Sequence, residues 1–190
     1  MATSTLFRFG GLAAILSGVF TAIGWLVPGN VLVETFNIVA LGLLPLALTG
    51  IYLRQRVESG TFGLVGYIIA VFGGALVMGA AYSDTYVLSL LSEAQQDNIL
   101  MGSNAAVFMA SGVTILVGTV LFGIVTIIAG VFPRVAAVLI IIGTIPLSLV
   151  PLFEDVPIVL TIGAIVLGMG LGWLGYSLWQ QAEVEVKARA

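Results

Sequence analysis

Few side chains in this sequence can do polar chemistry, and the first to weigh are Glu34 and Asn37, which interrupt the apolar run NVLVETFNIVALGLLPLALTGIYL. Three residues apart, they share one face of a helix, and Leu41 and Pro45 continue that face. Pro45 has no N–H to donate, and its ring displaces the carbonyl of Leu41. One stripe then carries a carboxylate, an amide and an under-bonded carbonyl, which is costly against lipid tails. The stripe is expected to face the interior of a bundle or a wet pocket. At a rise of ~1.5 Å per residue, a helix beginning near Val31 puts Glu34 about 5 Å and Asn37 about 9 Å from its end. The plainer reading is that both reach toward headgroups and cap the helix. The sharper one is an outer ligand pocket lined by Glu34, Asn37, Tyr82, Asp84 and Asn104. A proton or ion path has little behind it, because nothing titratable continues along the stripe toward the other side.

Most other chemistry is absent. The chain has no Cys and no His, which removes disulfides, thiol redox chemistry and the usual zinc, copper and haem ligands. No His or Cys supports a nucleophile and base, and nothing near the serines activates one. The glycines lie inside apolar runs and make no nucleotide fingerprint. No Lys lies within an apolar run, and no arginine ladder occurs. Glu154 and Asp155 with Asp84 have the donor atoms for a divalent cation, yet adjacent loop acids are commonly just solvated, so no metal site is expected. No basic patch points to nucleic acid. The expectation is a non-enzymatic protein without cofactor.

The elements that position these residues follow from composition. Of 190 residues 60% are hydrophobic and 8% charged, against about 25% charged in a soluble domain. So little charge cannot cover a water-facing globule. Apolar runs of about 20 residues without strand alternation predict helices, the usual spanning structure in lipid. Six spans are expected, at about 9–27, 31–53, 61–83, 104–132, 135–153 and 156–179, in one all-α transmembrane domain covering 1–190. All six basic residues, Arg8, Arg54, Arg56, Arg134, Lys187 and Arg189, fall on one side of this map. The positive-inside rule makes that side cytoplasmic, with both termini inside and the plasma membrane as the location. The other face carries Asp84, Glu93, Asp97, Glu154 and Asp155. The segment SDTYVLSLLSEAQQDNILMGSN between spans three and four reads as short interfacial helices, with Ser92 and Gln95 spaced as a capping box. Trp25, Tyr52, Tyr176 and Trp179 sit where interfacial aromatics belong, and the tail after Trp179 is expected to extend span six.

Small residues recur every fourth position: Gly10, Ala14, Gly18 and Ala22 in span one, and Ala164, Gly168 and Gly172 in span six. Such stripes let helix backbones approach closely. They are expected to pack the bundle; the sharper reading leaves one stripe free for a partner helix. Pro45 and Pro146 are expected to kink spans two and five; Pro146 and Pro151 would free the carbonyls of Ile142 and Leu147, with Thr144 and Ser148 available to rebond them. Bends there would open a cavity between the two spans toward the outside.

Two stretches, LGLLPLALTGIYLRQR (41–56) and GLVGYIIAVFGGALVMGAAYSD (63–84), resemble small six-span prokaryotic membrane proteins of uncharacterised activity. That resemblance implies a fold and a plasma-membrane location. In size, span number and the stripe Gly10–Ala14–Gly18–Ala22 the chain is also similar to the substrate-capturing subunits of energy-coupling-factor vitamin transporters, although its VPGN loop is shorter than their outer gates. Two functions are therefore expected. The first is an accessory or assembly subunit that contacts lipid, and a membrane-protein partner or a second copy, through helix packing. The alternative is outward-facing binding or transport of a small amphiphilic molecule.

Overall fold

The computed structural model describes residues 3–27, 29–100, 103–153 and 156–187. They form helices α1 (Thr3–Gly24), α2 (Val31–Tyr86), α3 (Glu93–Leu100), α4 (Ser103–Ala129), α5 (Arg134–Ser148) and α6 (Pro157–Lys187), with 3-10 turns at Leu88–Leu90 and Val150–Leu152. Four helical stretches are long and apolar enough to cross a membrane: Thr5–Gly24, Val31–Leu90, Ala105–Ala129 and Pro157–Val184. Large apolar side chains stand exposed on all of them, among them Leu12, Phe62, Phe72, Ile128 and Trp173, a surface suited to lipid.

Helix α2 is a hairpin. A straight helix would separate Thr35 from Tyr86 by about 76 Å, yet their hydroxyls are 2.6 Å apart. The reversal falls on Gly60, whose φ of 55° and ψ of −151° lie in a region essentially closed to residues with a Cβ. The arms 31–59 and 61–86 run antiparallel, joined by stacked Tyr52 and Tyr67, 4.8 Å between ring centroids, and by Thr49 Oγ1 and Tyr67 OH at 2.9 Å. The expected break over 54–60 shrinks to one glycine, because Arg54–Ser59 contain no helix breaker.

Helix α1 packs on α6 and α2, α4 on α2, and α5 on α6 and α4. The closest approaches are at glycine. A Cβ on Gly18 would run into the carbonyl oxygen of Gly168, and one on Gly168 into that of Gly18. A Cβ on Gly10 would lie 2.9 Å from Gly50 Cα, and one on Gly66 2.9 Å from Phe122 N. Ala14 and Ala164 are fully buried, and Ala22 Cβ lies 3.4 Å from where a Gly168 Cβ would stand. Gly172 differs from its stripe: its Cβ direction is open, with nothing within 4 Å.

The basic residues gather at one end, with Glu58 and Glu183 among them. Arg54 Nε donates to Gln181 Oε1 at 2.7 Å, and Gln181 Nε2 to the Val131 carbonyl at 3.3 Å. These bonds tie the turn of α2, the α4–α5 connection and the last turns of α6 together at one end, where Arg8 lies in the second turn of α1 and Arg134 opens α5. At the opposite end Thr161 Oγ1 donates to the Trp25 carbonyl at 2.9 Å, and Glu34 and Asp84 lie there. Lys187 closes α6, while Arg189, Glu154 and Asp155 lie outside the described residues.

Neither inner proline ends its helix at once. Backbone dihedrals stay helical at Pro45, and α5 continues two residues past Pro146. The expected rebonding takes another form. Thr144 Oγ1 donates to the Ile140 carbonyl at 2.7 Å and Thr49 Oγ1 to that of Pro45 at 2.7 Å, because a helical Thr reaches the carbonyl four residues back. Ser148 Oγ bonds nothing among the described residues. In the connector before α4, Gln95 Oε1 accepts from Ser92 N (3.1 Å) and Ser92 Oγ (2.8 Å), which starts α3.

Candidate functional site

Between α1, both arms of α2, α4, α5 and α6 lies a cavity of ≈ 100 Å³. Its level in the bundle follows from which residues face each other. Nearest the acidic end stand Trp25, Thr21, Asn37 and Ser148. One or two turns deeper come Ser17, Thr119 and Thr144. The floor is apolar, made by Leu48, Phe122, Ile140 and Leu171. Among the described residues no charged side chain lines the cavity. From Asn37 to Leu48 the helix rises about 16 Å, so the chamber occupies the acidic half of the bundle and reaches toward its middle.

The local structure explains why these side chains point inward. Asn37 and Leu41 are one turn apart on α2, on the face that meets α1. The C-terminal turn of α1 approaches so closely that a Cβ on Gly24 would lie 2.7 Å from both Asn37 Cβ and Asn37 N. Ser17 Oγ donates to the Ala40 carbonyl at 2.9 Å and anchors the middle of α1 on α2. Ser148 is 9% exposed, and its Oγ is buried without a partner. Thr21, Thr119 and Asn37 also make no side-chain hydrogen bond among the described residues. Buried hydroxyls and amides are normally bonded to protein or water. Ser148 Oγ is the buried exception, and with Thr21 and the half-buried Thr119 and Asn37 it gives the chamber capacity for a guest with polar atoms.

Of the residues marked in sequence as an outer pocket, the structure brings only Asn37 to the chamber. Glu34 has other work. Its Oε1 accepts from Gly29 N at 2.8 Å and its Oε2 from Thr85 Oγ1 at 3.3 Å, pinning the α1–α2 connection to the far end of the hairpin. Beside it Asn30 Oδ1 caps α2, accepting from Leu32 N (3.1 Å) and Val33 N (3.2 Å). Tyr82 is mostly exposed and stacks at a tilt on Tyr86, 5.1 Å between centroids. Asp84 follows two residues later, on the same final turns of the hairpin and away from the chamber lining. Asn104 stands in the first turn of α4, and its side chain lies outside the described residues.

Sequence reasoning missed Ser17, Thr21 and Thr119 and gave Ser148 a different task. The available signal was spacing: Ser17 and Thr21, like Thr144 and Ser148, are hydroxyl pairs four apart within apolar helices. A second polar cluster was also missed. At the basic end Gln55, fully buried, donates through Nε2 to Thr126 Oγ1 at 2.9 Å, and Thr126 donates to the Phe122 carbonyl at 2.8 Å. Gln55 Oε1 and, one turn on, Ser59 Oγ have no partner among the described residues.

No family model, curated protein or solved structure matches this chain. The functional reading therefore rests on the chamber.

Proposed function

We propose that the chain crosses the plasma membrane six times with both termini in the cytoplasm, and that it binds a small amphiphilic molecule inside its bundle without chemically altering it. The observation that carries this reading is the chamber itself: an apolar floor below the buried, unpartnered Ser148 Oγ and the side chains of Thr21, Thr119 and Asn37. The other expected function, an accessory subunit acting by helix packing, drew on small-residue faces and scarce polarity within the membrane. Gly10, Gly18 and Gly168 meet backbone within the chain, which leaves fewer small-residue positions for a partner helix. The topology adds direction. With the basic end in the cytoplasm, the polar part of the chamber lies in the outer half of the membrane.

The test is to purify the chain from its native membrane and identify small molecules in an organic extract by mass spectrometry, beside the space-filling variants Thr21→Leu and Thr119→Leu. A molecule enriched with the native chain and depleted in both variants supports the reading. Identical extracts from all three, with unchanged thermal unfolding, would remove it. Protease access to a carboxyl-terminal tag tests the topology separately; cleavage from outside intact cells overturns it.

A further inference from the structure

Resting on that reading, we infer the chemical class of the guest: a neutral molecule of about one ring, with a hydroxyl or carbonyl at one end, held with that end toward Ser148, Thr21 and Asn37. Charge is excluded first. Among the described residues no charged side chain lines the chamber, and an ion brought there without a counter-charge has no compensation for its lost hydration. Size comes next. A dry apolar cavity of about 150 Å³ accepts benzene, whereas a polar one can hold a water once it offers roughly 10–15 Å³, each water in the liquid taking about 30 Å³. At ≈ 100 Å³ this chamber has room for several waters or for one small ring.

Orientation follows from how the lining is divided. Leu48, Phe122, Ile140 and Leu171 offer waters at the floor no hydrogen bonds. An apolar ring displaces them at a gain, because poorly bonded water is readily replaced by apolar groups. At the other end, the open Oγ of Ser148 and the amide of Asn37 can bond a polar atom of the guest, and a guest without one leaves them unsatisfied. Hydroxyls rotate to donate or accept, and an amide does both, so a guest hydroxyl and a guest carbonyl are served alike. Plain hydrocarbon satisfies only the floor.

The test uses the full chain in non-ionic detergent, with phenol, benzene and ionised benzoate as probes, binding being measured by saturation-transfer NMR and by titration. Phenol is expected to bind at least tenfold more tightly than benzene, and benzoate more weakly than both. Ser148→Ala is expected to narrow the gap between phenol and benzene severalfold, and Thr119→Leu to remove the specific signal of both. Benzene binding as well as phenol, with both lost in Thr119→Leu, overturns the polar-end assignment while leaving a guest-binding chamber. Benzoate binding most tightly overturns neutrality in the same way. If no probe binds, or if Thr119→Leu changes nothing, the chamber is a water site or a void, and the inference and the reading beneath it both fail.

Discussion

The seam between α1 and α6 and the chamber a few ångströms away are built from similar apolar helices, yet one has backbone on backbone and the other is hollow. In the seam, Gly18 and Gly168 remove side chains so that each helix rests on the other's carbonyls. Around the chamber the facing residues are Leu, Ile, Phe and Thr, which hold helices apart. The two regions are connected. The pairs Gly10–Gly50, Gly66–Phe122 and Gly18–Gly168 fix α1, both arms of α2, α4 and α6 at set distances. Collapse into the centre would have to break those contacts, which close packing and dispersion hold. The hollow persists because its walls are locked elsewhere.

The largest expected effect breaks the lock. Gly18→Leu forces a branched side chain against the backbone of α6, with no flexible neighbour to yield. Overpacking commonly costs about 1–3 kcal/mol where side chains can shift, and more is expected where only backbone stands opposite. The folded chain should be lost on size-exclusion in mild detergent. Gly172→Ala, on the same stripe of α6 but facing open space, should change stability by less than about 0.5 kcal/mol. Equal damage from both would mean that the seam does not depend on those particular approaches.

The contrast between seam and chamber also marks what could be read in advance. A period of four in small residues identifies a face, because a helix repeats there. It does not identify the partner: Gly10 meets α2 whereas Gly18 meets α6, and a side chain at Gly172 would meet nothing. Charge placement gave the two ends, since Arg side chains cannot sit at mid-bundle without cost. The chamber was legible only through Asn37, whose amide stands out in an apolar run. Glu34 stood out as strongly but serves the loop, because a carboxylate near a helix start finds free backbone N–H groups close by. Serines and threonines gave the weakest signal. Such a hydroxyl usually bonds the carbonyl four back in its own helix, as Thr144 does; Ser148, last in α5, does not, and the shared spacing does not tell the two apart.

A smaller effect is expected at the basic end, where polar groups are buried by packing and not around a hollow. Thr126→Val leaves the Gln55 amide, fully buried, without its acceptor and should destabilise by about 1–3 kcal/mol. Gln55→Met, of similar volume, removes the stranded Oε1 together with the donor and should cost less than about 1.5 kcal/mol. Thermal unfolding of the two single variants separates them, and a larger loss from Gln55→Met would mean that water or another group bonds Oε1. Next in size, Glu34→Ala releases Gly29 N and Thr85 Oγ1 together and is expected to cost about 1 kcal/mol. Limited proteolysis near residues 25–30 should then quicken, while phenol binding in the chamber holds.

The smallest stability effect belongs to the residue that matters most for the guest. Ser148 Oγ is buried and bonds nothing among the described residues, so Ser148→Ala takes away no protein hydrogen bond. Deleting an unsatisfied polar group is neutral or mildly favourable, and loss of one oxygen leaves little new void. The guest-free variant should therefore unfold within about 0.5 kcal/mol of the native chain. With phenol present the ordering changes. The native chain gains stability in proportion to the logarithm of probe concentration over Kd, and Ser148→Ala gains less because its Kd is higher. A seam residue behaves in the opposite manner, losing stability with or without probe. A guest-free loss of more than about 1 kcal/mol in Ser148→Ala would place a bonded water on that hydroxyl, and the chamber would then be a hydrated site that a ring must first empty.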